Sequence, residues 1–449
     1  MKNYIKQSLT LTGLVVGILL ILYFIPNRVI SGLGLREIDI LSLVRPRPPE
    51  ALVGDTAEVQ PLVQPPPEVK IPCKEGMVCF EDYSPKGTGM NAFFKALSSR
   101  KKNIRIAFFG DSYIEGDIFC SDFRALLQDT LGGAGVGMMG ATSITAGFRT
   151  TVKHKFSGWN TSSLVDPGKK DHSKEGIMGM SFVPANNARV EYTGVNKPHL
   201  DTFNRASIIY RLPEGEAAVS YRINDKKSEN LVLKASNRVQ KYDIDDTIGR
   251  IQFNFQANEN LRVFGISLQN KEGVSVDNFS LRGTPGTALR YINANTLRQT
   301  DSLLGYDLVV LQYGLNVMSA NVTKYTSYGK NMVETVEYVK KCFPNSSILL
   351  LSVGDRSMKK QGSYLTMPGV AGMLACQQSV CAQTGIVFWN LFDAMGGEGS
   401  MVKFVTSKPP KANKDYTHLN FAGGKYLANI LYETLVFERT RYEAKRKRR

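Results

Sequence analysis

Three polar residues that lie far apart in the chain have the types that nucleophilic catalysis requires. Ser112 follows a short apolar run, and Asp415 lies three residues before His418 in a polar segment near the C-terminus. A serine hydroxyl is a weak nucleophile at neutral pH and needs a general base such as histidine. That histidine needs an acceptor on its other ring nitrogen, which fixes the tautomer and holds the ring. The spacing predicts that Ser112, His418 and Asp415 act as a catalytic triad.

A serine nucleophile also needs hydrogen-bond donors for the negative charge that develops on the substrate oxygen. Asn316 follows a second apolar run, residues 308–313. Its side-chain amide can donate to such an oxyanion. We therefore expect Asn316 to lie near Ser112.

The elements around Ser112 predict an α/β sheet. Residues 104–109 form an apolar run rich in β-branched and aromatic residues, which indicates a buried strand. A helical pattern follows and ends at Gly132. A strand, a turn and a helix place Ser112 at the carboxyl edge of the sheet, where such sheets bind ligands. For this segment alone, a turn in which Asp111 or Ser112 caps the helix is the alternative.

Together these segments resemble the SGNH, or GDSL, hydrolase family. The resemblance rests on Gly-Asp-Ser at 110–112, Gly-Leu-Asn at 314–316 and Asp-x-x-His at 415–418, and it spans residues 104–420. It implies a flavodoxin-like α/β/α fold with a parallel sheet. It also implies an oxyanion hole made by the backbone N–H of Ser112, a glycine and Asn316. We assign that glycine to Gly286, with Gly283 as the alternative. Val317 departs from the acidic residue that many members carry.

A closer resemblance surrounds the serine. GDSYIEGD (110–117) and FRALLQDTLGGAGVG (123–137) are similar to the periplasmic peptidoglycan O-acetylesterases and their relatives that act on bacterial surface polysaccharides. In that branch a β-rich, carbohydrate-binding-like module is inserted between the serine and glycine segments. Residues 150–280 show short alternating runs separated by turns, which predict an inserted β-sandwich or jelly roll. Trp159 within them is a candidate for stacking on sugar rings, or a residue of the core.

This division gives the hydrolase domain two parts, residues 80–149 and 281–438, on either side of the insertion. Residues 9–25 are uncharged and apolar for roughly one bilayer crossing, and Lys2 and Lys6 precede them. We expect residues 1–30 to be an uncleaved signal-anchor in a bacterial inner membrane, with the catalytic part in the periplasm. A cleaved signal peptide is the alternative. The proline-rich residues 31–79 predict an extended spacer, and residues 439–449 a basic tail.

The composition adds expectations about partners and cysteines. The chain has 56 Lys and Arg against 40 Asp and Glu, a formal charge of +16, which suits anionic partners. No nucleic-acid motif accompanies this charge. Six cysteines fit an exported protein. The spacing allows local disulfides between Cys73 and Cys79 and between Cys376 and Cys381. The remaining pair, Cys120 and Cys342, is expected to be buried thiols.

The resemblance implies a serine-dependent esterase that removes O-acetyl groups from peptidoglycan or another surface polysaccharide through an acyl-enzyme. Two alternatives remain. The same residues could transfer the acetyl group to a sugar hydroxyl, or the chain could be a non-catalytic glycan-binding protein. The chemistry requires no metal or organic cofactor, and four histidines without a C-x-x-C pair do not suggest zinc. The expected partners are an acetylated glycan polymer and the inner membrane, and not nucleic acid.

Overall fold

The computed structural model describes residues 10–15, 73–99, 103–168 and 171–447. It divides the chain into the units Met1–Val59 and Gln60–Arg449. In the first unit residues 10–15 are helical. Most of the expected signal-anchor and of the spacer lies outside the described residues, as do the last two residues of the expected basic tail. No helix within the described ranges has the length and apolar character needed to span a bilayer.

The strands of the second unit range from three residues to more than twenty in length. In chain order they are β1 (Phe80–Asp82), β2 (Asn103–Gly110), β3 (Gly137–Met139), β4 (Lys153–Ser163), β5 (Met180–Thr193), β6 (Phe203–Ile223), β7 (Glu229–Ile248), β8 (Arg250–Phe255), β9 (Arg262–Gln269), β10 (Gly273–Ser280), β11 (Leu308–Gln312), β12 (Ser347–Leu351), β13 (Ser357–Lys360), β14 (Ser363–Thr366) and β15 (Val387–Trp389).

The helices of the second unit alternate with the strands near both ends of its sequence. They are α1 (Asn91–Ser98), α2 (Cys120–Leu131), α3 (Ala294–Leu304), α4 (Thr326–Cys342), α5 (Gly369–Thr384), α6 (Leu391–Met395), α7 (Ser400–Thr406) and α8 (Phe421–Lys447). Short 3₁₀ turns cover Glu115–Asp117 and Thr287–Tyr291. Residues 439–447, expected as a tail, continue helix α8.

One six-stranded sheet has the order β1-β15-β12-β11-β2-β10. All its pairings are parallel except that of β1 with β15. After its first residue, β2 is buried along its whole length. Such continuous burial is typical of a parallel strand that is covered on both faces. The prediction of an α/β protein with a parallel sheet is confirmed.

A second, antiparallel sheet has the order β3-β9-β5-β8-β6-β7, with β4 paired to β5. Strands β5, β8, β6 and β9 pair in a ring, because β8 lies between β5 and β6 and β9 contacts both of them. The strand-rich region, predicted as a sandwich or jelly roll, is hydrogen-bonded as one sheet that closes on itself. It has its own apolar cluster, separate from that of the parallel sheet.

The boundaries of the antiparallel sheet differ from the expected 150–280. Strand β3 joins this sheet although it precedes residue 150, and β10 pairs with β2 in the parallel sheet. The sequence of β10 alternates apolar residues with Ser275 and Asp277, a pattern of a half-exposed strand. Both polar residues are buried. Asp277 accepts hydrogen bonds from Arg105, which explains how its carboxylate is accommodated.

The cysteines follow the expectations except in one case. Cys73 and Cys79 form a disulfide, and Cys120 and Cys342 are buried thiols, as predicted. The predicted bond between Cys376 and Cys381 is wrong, because both thiols are free. Both residues lie on α5. Five residues of helix rotate the side-chain direction by about 140°, which points the two thiols away from each other.

Candidate active site

The parallel sheet brings the Ser112 and Asn316 segments to one edge. Strand β2 ends at Gly110 and β11 at Gln312, and these two residues are register partners in adjacent parallel strands. The turn that follows each strand therefore leaves the sheet at the same carboxyl edge. Ser112 lies in the first turn, and Asn316 lies in the second. Ser112 is buried, so its hydroxyl is largely withdrawn from solvent.

Helix α8 holds the two segments that carry Ser112 and His418. A Cβ atom at Gly424 would overlap the carbonyl oxygen of Ile118, in the loop after Ser112. A Cβ atom at Gly423 would overlap the carbonyl oxygen of Lys411, in the segment that leads to Asp415. Only glycine permits this approach of backbone to backbone. The first turn of α8 thus packs against both segments.

The structure brings Ser112, His418 and Asp415 together, as the sequence predicted. Ser112 Oγ lies 2.9 Å from His418 Nε2, and His418 Nδ1 lies 2.8 Å from Asp415 Oδ2. The other carboxylate oxygen of Asp415 accepts the backbone N–H groups of Thr417 and His418 at 2.9 and 3.0 Å. These bonds shape the short Asp-x-x-His turn.

The ionisation of Asp415 fixes the tautomer of the imidazole. Burial by itself would raise the pKa of Asp415, but hydrogen bonds from the backbone and ring of His418 outweigh it and lower that pKa. The charged Asp415 carboxylate can only accept a hydrogen bond, so His418 Nδ1 carries the proton and donates that bond to Asp415 Oδ2. His418 Nε2 then faces the Ser112 hydroxyl as an acceptor, which is the arrangement a general base requires.

Asp111 joins the site, although the sequence suggested only a helix cap for it. Asn316 Nδ2 donates to Asp111 Oδ2 at 2.9 Å, and the N–H of Tyr113 donates to Asp111 Oδ1 at 2.9 Å. The carboxyl group is fully buried. Burial raises the pKa of Asp111 to about 7, although the N–H of Tyr113, the His418 charge and the Asn316 amide act in the opposite direction.

The glycine segment lies beside Asn316, whose amide also donates to the carbonyl of Thr284 at 3.2 Å. Gly286 has a positive φ of 90°, and a Cβ atom there would lie 2.5 Å from the ring of Tyr313. Its N–H donates to Thr284 Oγ1 at 3.1 Å. Gly283 is exposed and has open space where a Cβ would be. Close packing and the positive φ therefore explain why position 286 is a glycine. The oxyanion role of either glycine stays a prediction.

A buried ion cluster holds the loop after Ser112. The Asp117 carboxylate accepts hydrogen bonds from Arg124 at 2.9 Å, from Arg149 at 2.6 Å and from Thr151 at 2.7 Å. Burial would raise the pKa of Asp117, but the charges of the two arginines outweigh it and lower that pKa. Asp117 is the last residue of the GDSYIEGD segment (110–117). Its partners lie in α2 and in the segment before β4.

Arg356 and Tyr364 are neighbours of the site that were not among the predicted catalytic and oxyanion residues. Arg356 Nη1 donates to the carbonyls of Leu315 and Met318, each at 3.2 Å, on either side of Asn316. The ring of Tyr364 stacks on that of Tyr416, within the Asp-x-x-His turn, at 3.6 Å between centroids. No motif could have revealed these contacts, because they depend on a hairpin that folds over the turn.

The other histidines and Trp159 lie outside the triad. His154 stacks on Tyr192 in the antiparallel sheet, and His199 Nε2 lies 2.6 Å from Asp129. His172 stacks on Tyr291 in the 3₁₀ turn after Gly286. Trp159 donates to the carbonyl of Arg189 and packs its edge against Phe255, as a residue flanking the core does. Over the described ranges, no cluster of three metal-ligating side chains is found.

Neither a protein-family model nor a curated protein sequence matches this chain. In structure the chain is similar to a peptidoglycan O-acetylesterase, with 19% identity, 80% of this chain and 99% of that one covered, and a TM-score of 0.65. A family two carbohydrate esterase from Cellvibrio japonicus matches over 51% of this chain and 86% of its own, with 10% identity and a TM-score of 0.20. One from Clostridium thermocellum covers 63% of this chain and 99% of its own, with 11% identity and a TM-score of 0.27.

Only the first of these similarities is close enough to define the fold. Together with the parallel sheet and the edge that carries Ser112, it shows that this chain shares the fold of that peptidoglycan O-acetylesterase.

Proposed function

We propose that this protein is a serine carbohydrate O-acetylesterase that acts on peptidoglycan or another cell-surface polysaccharide. The observation that carries the proposal is the hydrogen-bonded series from Ser112 Oγ through the His418 ring to Asp415. The similarity of the fold to that of a peptidoglycan O-acetylesterase supports the substrate class.

In the proposed reaction, Ser112 Oγ attacks the carbonyl carbon of an O-acetyl group while His418 Nε2 takes its proton. The tetrahedral intermediate collapses to acetyl-Ser112 as His418 returns that proton to the departing sugar oxygen. Water then attacks the acetyl carbonyl carbon, again losing a proton to His418, and acetate leaves with regeneration of the serine hydroxyl. Asp415 remains ionised throughout and stabilises the imidazolium.

The proposed oxyanion hole uses the backbone N–H groups of Ser112 and Gly286 and the amide of Asn316. Both Asn316 amide hydrogens already have acceptors, Asp111 at 2.9 Å and the Thr284 carbonyl at 3.2 Å. An oxyanion would compete for the longer of these two bonds. The bond to Asp111 would then keep the amide oriented.

We also propose that residues 1–30 anchor the protein in a bacterial inner membrane with the catalytic part in the periplasm. The Cys73–Cys79 disulfide supports an oxidising compartment. A reporter fused after Arg449 should be active only on the exported side, and deletion of residues 1–30 should abolish carbonate-resistant membrane association. Reporter activity in the cytoplasm would overturn this proposal.

The decisive experiment separates hydrolysis from transfer, since an acetyltransferase would use the same triad. The purified full chain in mild detergent is offered O-acetylated peptidoglycan fragments, and released acetate and newly acetylated sugars are measured together. We expect acetate release to dominate and to disappear in Ser112→Ala. Acetyl transfer in excess of acetate release would replace the esterase by a transferase, and a lack of any deacetylation would exclude this substrate.

A further inference from the structure

The β13–β14 hairpin lies directly against the Asp-x-x-His turn. The backbone N–H of Ser357 donates to the carbonyl of Tyr416 at 3.0 Å. The rings of Tyr364 and Tyr416 are nearly parallel, with 8° between their planes. Since Tyr416 lies between Asp415 and His418 in sequence, the hairpin is an immediate neighbour of the triad.

The register of the hairpin determines which lysine faces this turn. Lys359 is directly opposite Tyr364, and Lys360 is opposite Ser363. Side chains of directly opposite residues share a face of the ladder, and successive residues alternate between faces. Lys359 therefore shares the face of Tyr364 that meets Tyr416, whereas Lys360 projects from the other face. Both lysines are exposed.

Arg356 places a second positive charge between the turn and the Asn316 segment. Its Nη1 atom is held by the Leu315 and Met318 carbonyls. Burial lowers the pKa of Arg356, and the nearby charge of Asp415 raises it in partial compensation. Within the described part of the chain, no ion pair is formed by Arg356 or Lys359. Apart from the two Nη1 bonds of Arg356, neither side chain donates a hydrogen bond to another described residue, so both cations retain donors for a ligand.

We propose that Arg356, Lys359 and the stacked Tyr364–Tyr416 pair form a subsite for a carboxylate-bearing unit of the glycan, next to the acetylated unit. The guanidinium and ammonium groups attract the carboxylate. The tyrosine pair, with Tyr364 still 37% exposed, offers an apolar surface to the sugar. The inference rests on the proposed function and adds that the natural polymer is anionic rather than neutral.

The test compares Lys359→Gln with Lys360→Gln, a matched control from the opposite face of the same hairpin. The substrates are one acetylated glycan with free carboxylates and the same glycan with its carboxylates amidated. On the free carboxylate substrate, Lys359→Gln should lower kcat/KM roughly 3- to 10-fold, mainly through KM, as expected for losing one exposed charge pair. Lys360→Gln should change it less than about 2-fold. Salt at about 0.5 M should reduce the difference in kcat/KM between the two variants, because it screens exposed charges.

Two results would contradict the proposed subsite, and a third would contradict the proposed function. Equal effects of the two lysine variants on the acidic glycan would overturn the subsite. Equal losses by Lys359→Gln on the free and amidated glycans would assign the hairpin a purely structural role. Deacetylation of neither glycan by the wild type would contradict the proposed function instead. In that case the subsite is still tested by calorimetric binding of the acidic, deacetylated glycan, which Lys359→Gln should weaken and Lys360→Gln should not.

Discussion

The carboxyl group of Asp111 connects the serine turn to the Asn316 segment. One of its oxygens accepts from the Asn316 amide and the other from the backbone of Tyr113. Burial raises its pKa from 3.8 to about 7. The native state therefore holds this proton more tightly than the unfolded chain. The associated stability is fully present below the unfolded pKa and is lost as the pH rises through the folded pKa.

Asp111→Asn should remove this part of the pH dependence. Relative to the variant, the wild type should lose roughly 2–3 kcal/mol of unfolding free energy between pH 5 and pH 8, at about 1.4 kcal/mol per pKa unit. Urea denaturation of both proteins at the two pH values measures the difference. A difference that stays constant with pH would show that Asp111 titrates normally.

Asn316 is expected to stabilise the oxyanion. Asn316→Ala should lower kcat about 10²- to 10³-fold, as loss of one such donor does. Val317→Ala, at the adjacent position, is the control and should stay within a few-fold of wild type. Steady-state kinetics on a small acetyl ester, with the thermal midpoint of each variant, gives the comparison. A collapse of that midpoint with the loss of kcat would assign Asn316 a structural role.

The proximity of Ser112, His418 and Asp415 could be predicted from sequence, because triad chemistry dictates both the residue types and the three-residue spacing of Asp415 and His418. The raised pKa of Asp111 and the hydrogen bonds of Arg356 could not be predicted. The raised pKa of Asp111 comes from complete burial, and the contacts of Arg356 join segments that only the folded chain brings together. Neither leaves a local signature in the sequence.

At the scale of elements, buried strands were the easiest to predict. The runs 104–109 and 308–313 correspond to β2 and β11, since continuous apolar segments indicate strands covered on both faces. Strand β10 falls inside the range predicted for the insertion, yet it pairs with β2 in the parallel sheet and its Asp277 is buried. The pairing that neutralises this carboxylate comes from Arg105, which is 172 residues away in the chain.

Helix α8 gives a direct test of how elements hold the site. Gly424→Ala should destabilise the protein by about 1–3 kcal/mol, because the new methyl group forces α8 away from the Ile118 carbonyl. It should also lower kcat by moving the serine and histidine segments apart. Gly329→Ala in α4 is the matched control, since its Cβ would meet only the Cys376 thiol at 3.0 Å. Similar unfolding free energies for the two variants would contradict the close packing of α8.

At the scale of the whole second unit, a buried ion pair joins the two sheets. Arg105 in β2 binds Asp277 in β10 at 2.7 Å and donates to Ser267 in β9 at 2.8 Å. Asp277 also accepts the backbone N–H of Met138 in β3 at 2.8 Å. The sequence patterns predicted a parallel sheet and a strand-rich insertion. They did not predict the ion pair that joins the two sheets, because a contact between residues far apart in the chain produces no periodic pattern in the sequence.

Asp277→Ala should therefore cost about 3–5 kcal/mol of unfolding free energy, since it leaves the Arg105 guanidinium buried and unpaired. Asp245→Ala is the control, because Asp245 pairs with Arg205 but is 39% exposed. That exposed pair should contribute no more than about 1 kcal/mol. Denaturant titrations measure both values. Equal small losses would show that the buried pair does not hold the sheets together.

The central claim is that Ser112 carries the acetyl group during turnover. The most direct measurement is mass spectrometry of the protein quenched during reaction with an activated acetyl ester, together with turnover rates of Ser112→Ala, His418→Ala and the double variant. We predict one acetyl group on the peptide that contains Ser112. Each single variant should lose several orders of magnitude in kcat, and the double variant little more, because the residues act as a unit. Near-wild-type turnover by Ser112→Ala, with the acetyl group absent or on another residue, would contradict the account.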